Sequence, residues 1–313
     1  MISVITPTYN RKEELTRLYK SLIENNIIGL EWVIVDDGST DDTEYIVNSW
    51  ISESQFKIKY IKQENAGKMA ALNNGINYIT NPYMFEIDSD DYIVPNFFEK
   101  VLEDIKLLEL KDKEKHKEKY YGIAYLKEVG ETLNYFDKNV FKNSVLDINK
   151  KNNIKTIKMF DLYNKYLYEG ELLILFKTKL RKEFHYDLED SEKFITEAYL
   201  YNKLDRKYDG IYLSNEIGLI CEYREDGYTK NIDKLFFQNP KGYLKYYKSN
   251  LNMDLTGINF KKKLSFVKNY LFFGYILKKN IFELVKGLDF GIKILIFILY
   301  IPGYIKFKIK YKK

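Results

Sequence analysis

Three carboxylates fall within four residues at Asp88-Ser89-Asp90-Asp91, directly after the apolar residues Met84, Phe85 and Ile87. Held this close in a folded loop they repel one another, unless a cation, backbone N–H groups or solvent compensates them. Hard divalent ions such as Mg2+ or Mn2+ accept one or two such carboxylates and complete their shell with substrate phosphates. A second acidic step, Asp36-Asp37-Gly38-Ser39, ends the β-rich run Trp32-Val33-Ile34-Val35. Two polar clusters accompany these, Thr6-Pro7-Thr8-Tyr9-Asn10 and Asn65-Ala66-Gly67-Lys68. The one cysteine, Cys221, excludes a disulfide framework, and two distant histidines, His116 and His185, argue against a zinc site, so oxygen ligands would hold any metal.

Each polar cluster follows an apolar run short enough to be a strand: Ile2–Thr6, Trp32–Val35, Ile58–Ile61 and Met84–Ile87. Helical spacing separates them. Leu15, Leu18, Tyr19 and Leu22 recur at helical intervals after Asn10, which with Glu13 makes a plausible helix start; Tyr45, Ile46, Val47 and Trp50 follow Thr40 or Asp41 as cap; a third helix runs from about Met69 to Tyr78. Four strand–helix alternations predict an α/β fold with a mostly parallel central sheet covered by helices. Such sheets bind ligands outside the carboxyl ends of their strands, where all four polar clusters fall.

Beyond Pro95, Phe97–Leu110 reads as a helix, the charge run 111–119 as its solvated end, and Tyr121–Leu126 as a further strand. Residues 134–153, rich in Asn, Lys and Asp, read as a flexible excursion. Tyr208–Leu213 and Ile217–Tyr223 read as strands. The net charge of +5 is divided unevenly: residues 261–313 carry 13 Lys against Glu283 and Asp289, leaving the first 260 residues acidic. The lysines of the tail separate the apolar runs Leu271–Leu277, Ile281–Val285 and Ile294–Ile301. Its longest uncharged run, Ile294–Ile305, contains Pro302 and Gly303 and falls short of the ~20 apolar residues of a spanning helix. Amphipathic helices lying on an anionic membrane surface fit this pattern, with an oligomer-forming or core-packing appendage as the plainer alternative; the absence of Arg and the Ile, Leu and Phe runs disfavour nucleic acid. With Ile2, Val4 and Ile5 already reading as a strand, no signal peptide is expected and the body is expected to be cytoplasmic, at the inner face of the membrane.

Four segments in this order, SVITPTYNR, VIVDDGSTDDT, NAGKMAALNNGI and EIDSDD, resemble the inverting family 2 glycosyltransferases of GT-A fold. The resemblance covers residues 1–230 and implies a single Rossmann-like GT-A domain, with a donor half at about 1–95, an acceptor half at about 96–230 and a C-terminal helical, basic and apolar extension at 231–313. It implies transfer of a sugar from a nucleotide-diphosphate donor, a UDP-sugar foremost, to a hydroxyl of a glycan or polyprenyl-linked glycan acceptor in surface polysaccharide assembly. Mn2+ or Mg2+ would sit on the diphosphate, held by Asp90 with Asp88 facing metal or ribose. Thr6, Pro7, Tyr9, Asp36 and Asp37 would surround the nucleobase; Lys68, Ser89 and Arg224 would complete the donor site. A carboxylate in a helix well beyond the DxD would be the general base. Glu197 is the choice, although Ala198 stands where most members have Asp, and Glu189, Asp190 and Glu192 are rivals. That same departure supports an alternative, a catalytically inactive nucleotide-sugar-binding or interaction protein on this fold. A nucleotidyltransferase would want a Gly-rich phosphate loop after its first strand, which Thr6–Asn10 lacks.

Overall fold

The computed structural model describes residues 1–114, 119–129, 155–189, 191–222 and 232–311. The chain begins with β1 (Ile2–Thr8), α1 (Lys12–Glu24), β2 (Glu31–Asp36), α2 (Thr43–Glu53), β3 (Lys57–Lys62), α3 (Lys68–Gly75), a 3₁₀ turn at Ile76–Tyr78, and β4 (Tyr83–Glu86). Every residue of β1 and β2 is buried, as expected of strands with helices on both faces. β3, at one edge of the sheet, carries Lys57, Lys59 and Lys62, and charge there discourages pairing with another chain.

The second half adds β5 (Tyr92–Ile93), α4 (Phe97–Glu114), β6 (Tyr120–Val129), β7 (Thr156–Ile157), α5 (Met159–Asn164), β8 (Leu172–Lys177), α6 (Thr178–Arg181), α7 (Glu197–Lys207) and β9 (Gly210–Cys221). The strands form one sheet in the order β3-β2-β1-β4-β8-β6-β9-β5, with β7 also paired to β9. The first four are mutually parallel. β8 runs antiparallel to both β4 and β6, and β6 pairs parallel with β9. The registers Thr8↔Asp36 and Ile5↔Glu86 bring the ends of β1, β2 and β4 to one edge.

Apolar clusters fill both faces. On one, Tyr19 stacks on Trp50 with ring centroids 4.3 Å apart, and Trp32 lies alongside. On the other, Met69 and Leu72 of α3 meet Leu200 and Leu204 of α7. There the buried Asp205 carboxylate accepts from the Tyr121 hydroxyl at 3.0 Å and from the Phe160 N–H at 2.8 Å, tying α7 to β6 and α5. Burial pushes this carboxyl up to about 7, against the opposing pull of those hydrogen bonds.

The C-terminal helices are α8 (Ile232–Gln238), α9 (Pro240–Leu251), α10 (Phe260–Ile276), α11 (Ile281–Val285) and α12 (Phe290–Tyr311). Leu235, Tyr243 and Phe273 share the apolar cluster of α3 and α7, so this region packs directly on the sheet domain. The last three helices bury a further cluster around Phe266, Tyr270 and Ile296.

Several expectations need correction. Asn10 does not cap α1; it adopts a left-handed φ of 52° and accepts from the Thr40 N–H at 2.8 Å, joining the loops after β1 and β2. The third helix ends at Gly75, with Ile76–Tyr78 tightening into a 3₁₀ turn, and Phe97–Leu110 continues to Glu114. The two strands expected around Tyr208–Tyr223 are one, Gly210–Cys221. α12 carries the apolar run through Pro302 unbroken and reaches 22 residues, long and apolar enough by length and composition to cross a membrane. Packing holds this helix on α10: the Tyr275 hydroxyl donates to the Tyr300 carbonyl at 2.8 Å, and a Cβ at Gly303 would stand 2.6 Å from that hydroxyl oxygen. The expected excursion at 134–153 lies outside the described residues.

Candidate active site

A cleft of about 1310 Å³ opens at the carboxyl ends of β1, β2 and β4 and reaches across to α5, α7 and α9. From the first loop Pro7 and Tyr9 line it, and Tyr9 is 47% exposed with its ring free to stack. Thr6 lies instead in the core, its hydroxyl accepting from the Trp32 indole N–H at 3.0 Å. Asp36 also lies behind the cleft. It accepts from the Ser39 N–H at 2.6 Å and from the Tyr60 hydroxyl, whose pKa is raised by burial and by this carboxylate. It therefore shapes the turn after β2.

Asp37 lines the cleft and organises the loop before α3. One oxygen accepts from Gln63 Nε2 and the Ala66 N–H, the other from the Gly67 N–H, each at 2.8 Å. Gly67 has a φ of 93°, and a Cβ there would lie 2.5 Å from the Lys193 carbonyl oxygen, so only glycine lets the two halves of the cleft approach this closely.

Lys68, the next residue, crosses the cleft floor. Its ammonium lies 2.7 Å from the Asp88 carboxylate and 2.7 Å from Glu197 Oε1. Burial alone would lower its pKa; the two carboxylates outweigh that and hold it well above the ordinary value. Asp88 in turn is held low, with Lys68 and Lys127 overcoming the burial that favours its neutral form. Asp90 shows the opposite balance: burial and the neighbouring Asp88 charge raise it against a weaker pull from Lys68 and Arg11. Asp91 turns away to Lys127 Nζ at 3.3 Å, and burial pushes it up to about 7 despite that partner. The Asp90 carbonyl is fixed by the Arg17 guanidinium at 2.9 Å. Ser89 also lines the cleft.

These residues fit a divalent ion. Among the described residues no group of three or more His, Cys, Asp or Glu side chains converges as a closed metal cage. Asp88 and Asp90 supply instead the one or two hard oxygens that Mg2+ or Mn2+ takes when a substrate completes the shell. The Asp90 carboxylate, raised by burial and by Asp88, is the group that such an ion would compensate.

Glu197 opens α7, where a carboxylate is favoured by the N-terminal end of the helix dipole. Its described rivals are committed elsewhere. Glu192 accepts from the Lys241 and Gly242 N–H groups, both at 2.7 Å, and so caps α9; Glu189 pairs with Lys245 at 2.5 Å. Phe194 lies just before that helix, with its N–H held by Asn239 Oδ1 at 3.0 Å. Asp190 and Arg224 lie outside the described residues.

Sequence reasoning missed Lys127, Arg17 and Lys193. Lys127 carried a usable signal, a lysine directly ending the apolar run Tyr121–Leu126. Lys193 clamps the loop of Asn65, donating to its carbonyl at 2.9 Å and its side-chain oxygen at 2.6 Å.

Residues 3–110 match the family model "Glycosyl transferase family 2". Over that stretch the chain is similar to the family 2 glycosyltransferases. Glycosyltransferase GlyA of Streptococcus pneumoniae serotype 4 is 41% identical over 98 residues, 31% of this chain and 14% of GlyA. A chondroitin synthase of Escherichia coli is 31% identical over 106 residues, 34% of this chain and 15% of that protein. The chain thus spans well under a third of either relative. Among solved structures, S. aureus TarS 1–349 in complex with UDP-GlcNAc aligns with a TM-score of 0.60 at 17% identity, covering 99% of this chain and 91% of that one. The mannosyltransferase PcManGT of Pyrobaculum calidifontis, in complex with GDP-Man and Mn2+, aligns with a TM-score of 0.56 at 15% identity over 98% and 83% of the two chains. The chain therefore has the GT-A fold expected, a mixed and mostly parallel sheet with C-terminal helices.

Proposed function

We propose that this chain is an inverting glycosyltransferase, which moves a sugar from a nucleotide-diphosphate donor, UDP-linked foremost, to a hydroxyl of a glycan or lipid-linked glycan. The carrying observation is the pairing of one ammonium, Lys68 Nζ, with both Asp88 and Glu197 at 2.7 Å. It sets a carboxylate suited to the diphosphate side beside one suited to the acceptor side.

The donor's base stacks on Tyr9 above the loop that Asp37 organises. Asp90 and Asp88 are the residues that would hold Mn2+ or Mg2+, and a bound ion supplies Lewis-acid neutralisation of the diphosphate. Lys68 keeps Asp88 ionised and orients both carboxylates by charge. Glu197 takes the proton from the attacking acceptor hydroxyl, so that displacement at the anomeric carbon proceeds with inversion. The crystallised complexes of TarS with UDP-GlcNAc and of PcManGT with GDP-Man and Mn2+ support this reading.

The same reading places the chain at an anionic membrane surface. Phe297, Ile298 and Ile301 of α12 are half to two-thirds exposed, and Lys293, Lys306, Lys308 and Lys310 share that helix. Lysines on the same helix as these exposed apolar side chains suit an interface with anionic headgroups.

The test is Glu197→Gln. Transfer should fall about 10²–10⁴-fold with UDP affinity held within about twofold, while Glu192→Gln lowers the melting temperature and keeps turnover. Near-normal turnover in Glu197→Gln would move the base elsewhere, whereas UDP binding without any transfer by the parent chain would leave the non-catalytic binding protein as the better reading of Glu197-Ala198.

A further inference from the structure

The cleft continues past Glu197 into a wall with no role in donor binding. α9 presents Tyr246 and Asn250 one helical turn apart on the same face, and α7 presents Asn202 opposite them. Asn202 Nδ2 donates to Asn250 Oδ1 at 2.6 Å. Asn250 is 1% exposed, yet its own Nδ2 completes no hydrogen bond although it lies beside the Tyr246 hydroxyl. A buried amide donor without an acceptor is destabilising, and proteins retain one where water or a ligand completes it. Tyr163 of α5 adds a second ring to this wall, near enough to Glu197 for that charge to raise its hydroxyl's pKa after burial has done so.

We infer that Asn250 and Asn202, with Tyr246 and Tyr163, form a subsite for a neutral sugar ring of the acceptor. Primary amides and phenol hydroxyls offer donors and acceptors together, matching adjacent ring hydroxyls, while the aromatic faces cover the C–H surface of the ring. None of the four carries charge. The spacing suits the reaction. Asn202 lies five residues beyond Glu197 on α7, about 7.5 Å along the axis and on the scale of a sugar ring with its hydroxyls. A ring held by the amides thus brings a hydroxyl to the carboxylate. Tyr246 and Asn250 come from the C-terminal helix α9 and the other two from α7 and α5, so the packing of that helix would set which acceptor is used. The inference rests on the transferase reading above.

Saturation-transfer NMR on the full chain with UDP and Mn2+ tests it, using methyl glycosides of glucose, galactose, mannose and N-acetylglucosamine, and methyl glucuronide. At least one neutral glycoside should take saturation from the protein, and Asn250→Leu should weaken that signal at least fivefold while the UDP signal persists. Should Asn250→Leu lose UDP as well, Tyr246→Phe, which deletes a single hydroxyl, decides in its place by the same loss. Retained UDP signal with no neutral glycoside bound, or with sugar binding unaffected by the deciding variant, overturns the subsite. A stronger signal from the glucuronide than from every neutral glycoside overturns it too. A variant-sensitive sugar signal without any UDP signal upholds the subsite and counts against the donor reading alone.

Discussion

Lys68 Nζ and Glu197 Oε1 stand 2.7 Å apart across the cleft, joining the first turn of α3 to the first turn of α7. The same nitrogen holds Asp88. One lysine thus occupies the positive position between the two carboxylates.

Replacing that lysine should therefore favour a divalent ion. In Lys68→Met the Asp88 and Asp90 carboxylates lose a neighbouring positive charge that repels the metal. Calorimetric Mn2+ affinity should rise by about threefold to tenfold. Turnover should fall, because Glu197 loses its partner. Weaker Mn2+ binding would show that Lys68 does not oppose the ion there.

Asp205 gives a pH dependence of stability with a definite sign. Its carboxyl is pushed up to about 7 in the folded chain, above the unfolded value near 3.9. Between those values the folded state holds a proton that the unfolded state has released. This group's contribution is complete below pH ~4 and is lost as pH rises through about 7, on the order of 4 kcal/mol in all. Asp205→Asn can keep partners for both Tyr121 and the Phe160 N–H. Urea melts at pH 5 and pH 8 should differ less for this variant than for the parent; an equal or larger difference would contradict the assignment.

The exposed face of α12 makes its own prediction. Ile298 and Ile301 are 62% and 66% exposed, and burying an isoleucine fully is worth about 1.5–3 kcal/mol. The full chain should sediment with phosphatidylglycerol-containing vesicles, and the Ile298→Glu, Ile301→Glu double variant should stay in the supernatant. Unchanged sedimentation would assign that face another role.

The donor half was legible in sequence because its signals are local. Each strand is a short apolar run ending in polar residues, and the end of one strand lies beside the next by parallel pairing alone. Asp37, Asp88 and Asp90 could be placed at a common edge on that basis. Thr6 and Asp36 could not be separated from their cleft-facing neighbours, because which way a strand-end side chain turns depends on Trp32 and Tyr60, residues far off in sequence. The acceptor half was harder to read. Glu192 and Glu197 are alike as sequence, and what distinguishes them is a helix arriving from residue 240 onward, whose free N–H groups claim Glu192. Asn250 carries no sequence signal at all; its unused amide shows only once α7 and α9 are packed together.

The central claim is that Asp90 anchors a metal on the donor diphosphate. Calorimetry with UDP, with and without Mn2+, measures this most directly on the parent chain and on Asp90→Ala. The expected result is UDP binding that requires Mn2+ and is abolished by Asp90→Ala. UDP binding of equal strength without the metal, or undiminished in Asp90→Ala, would contradict it.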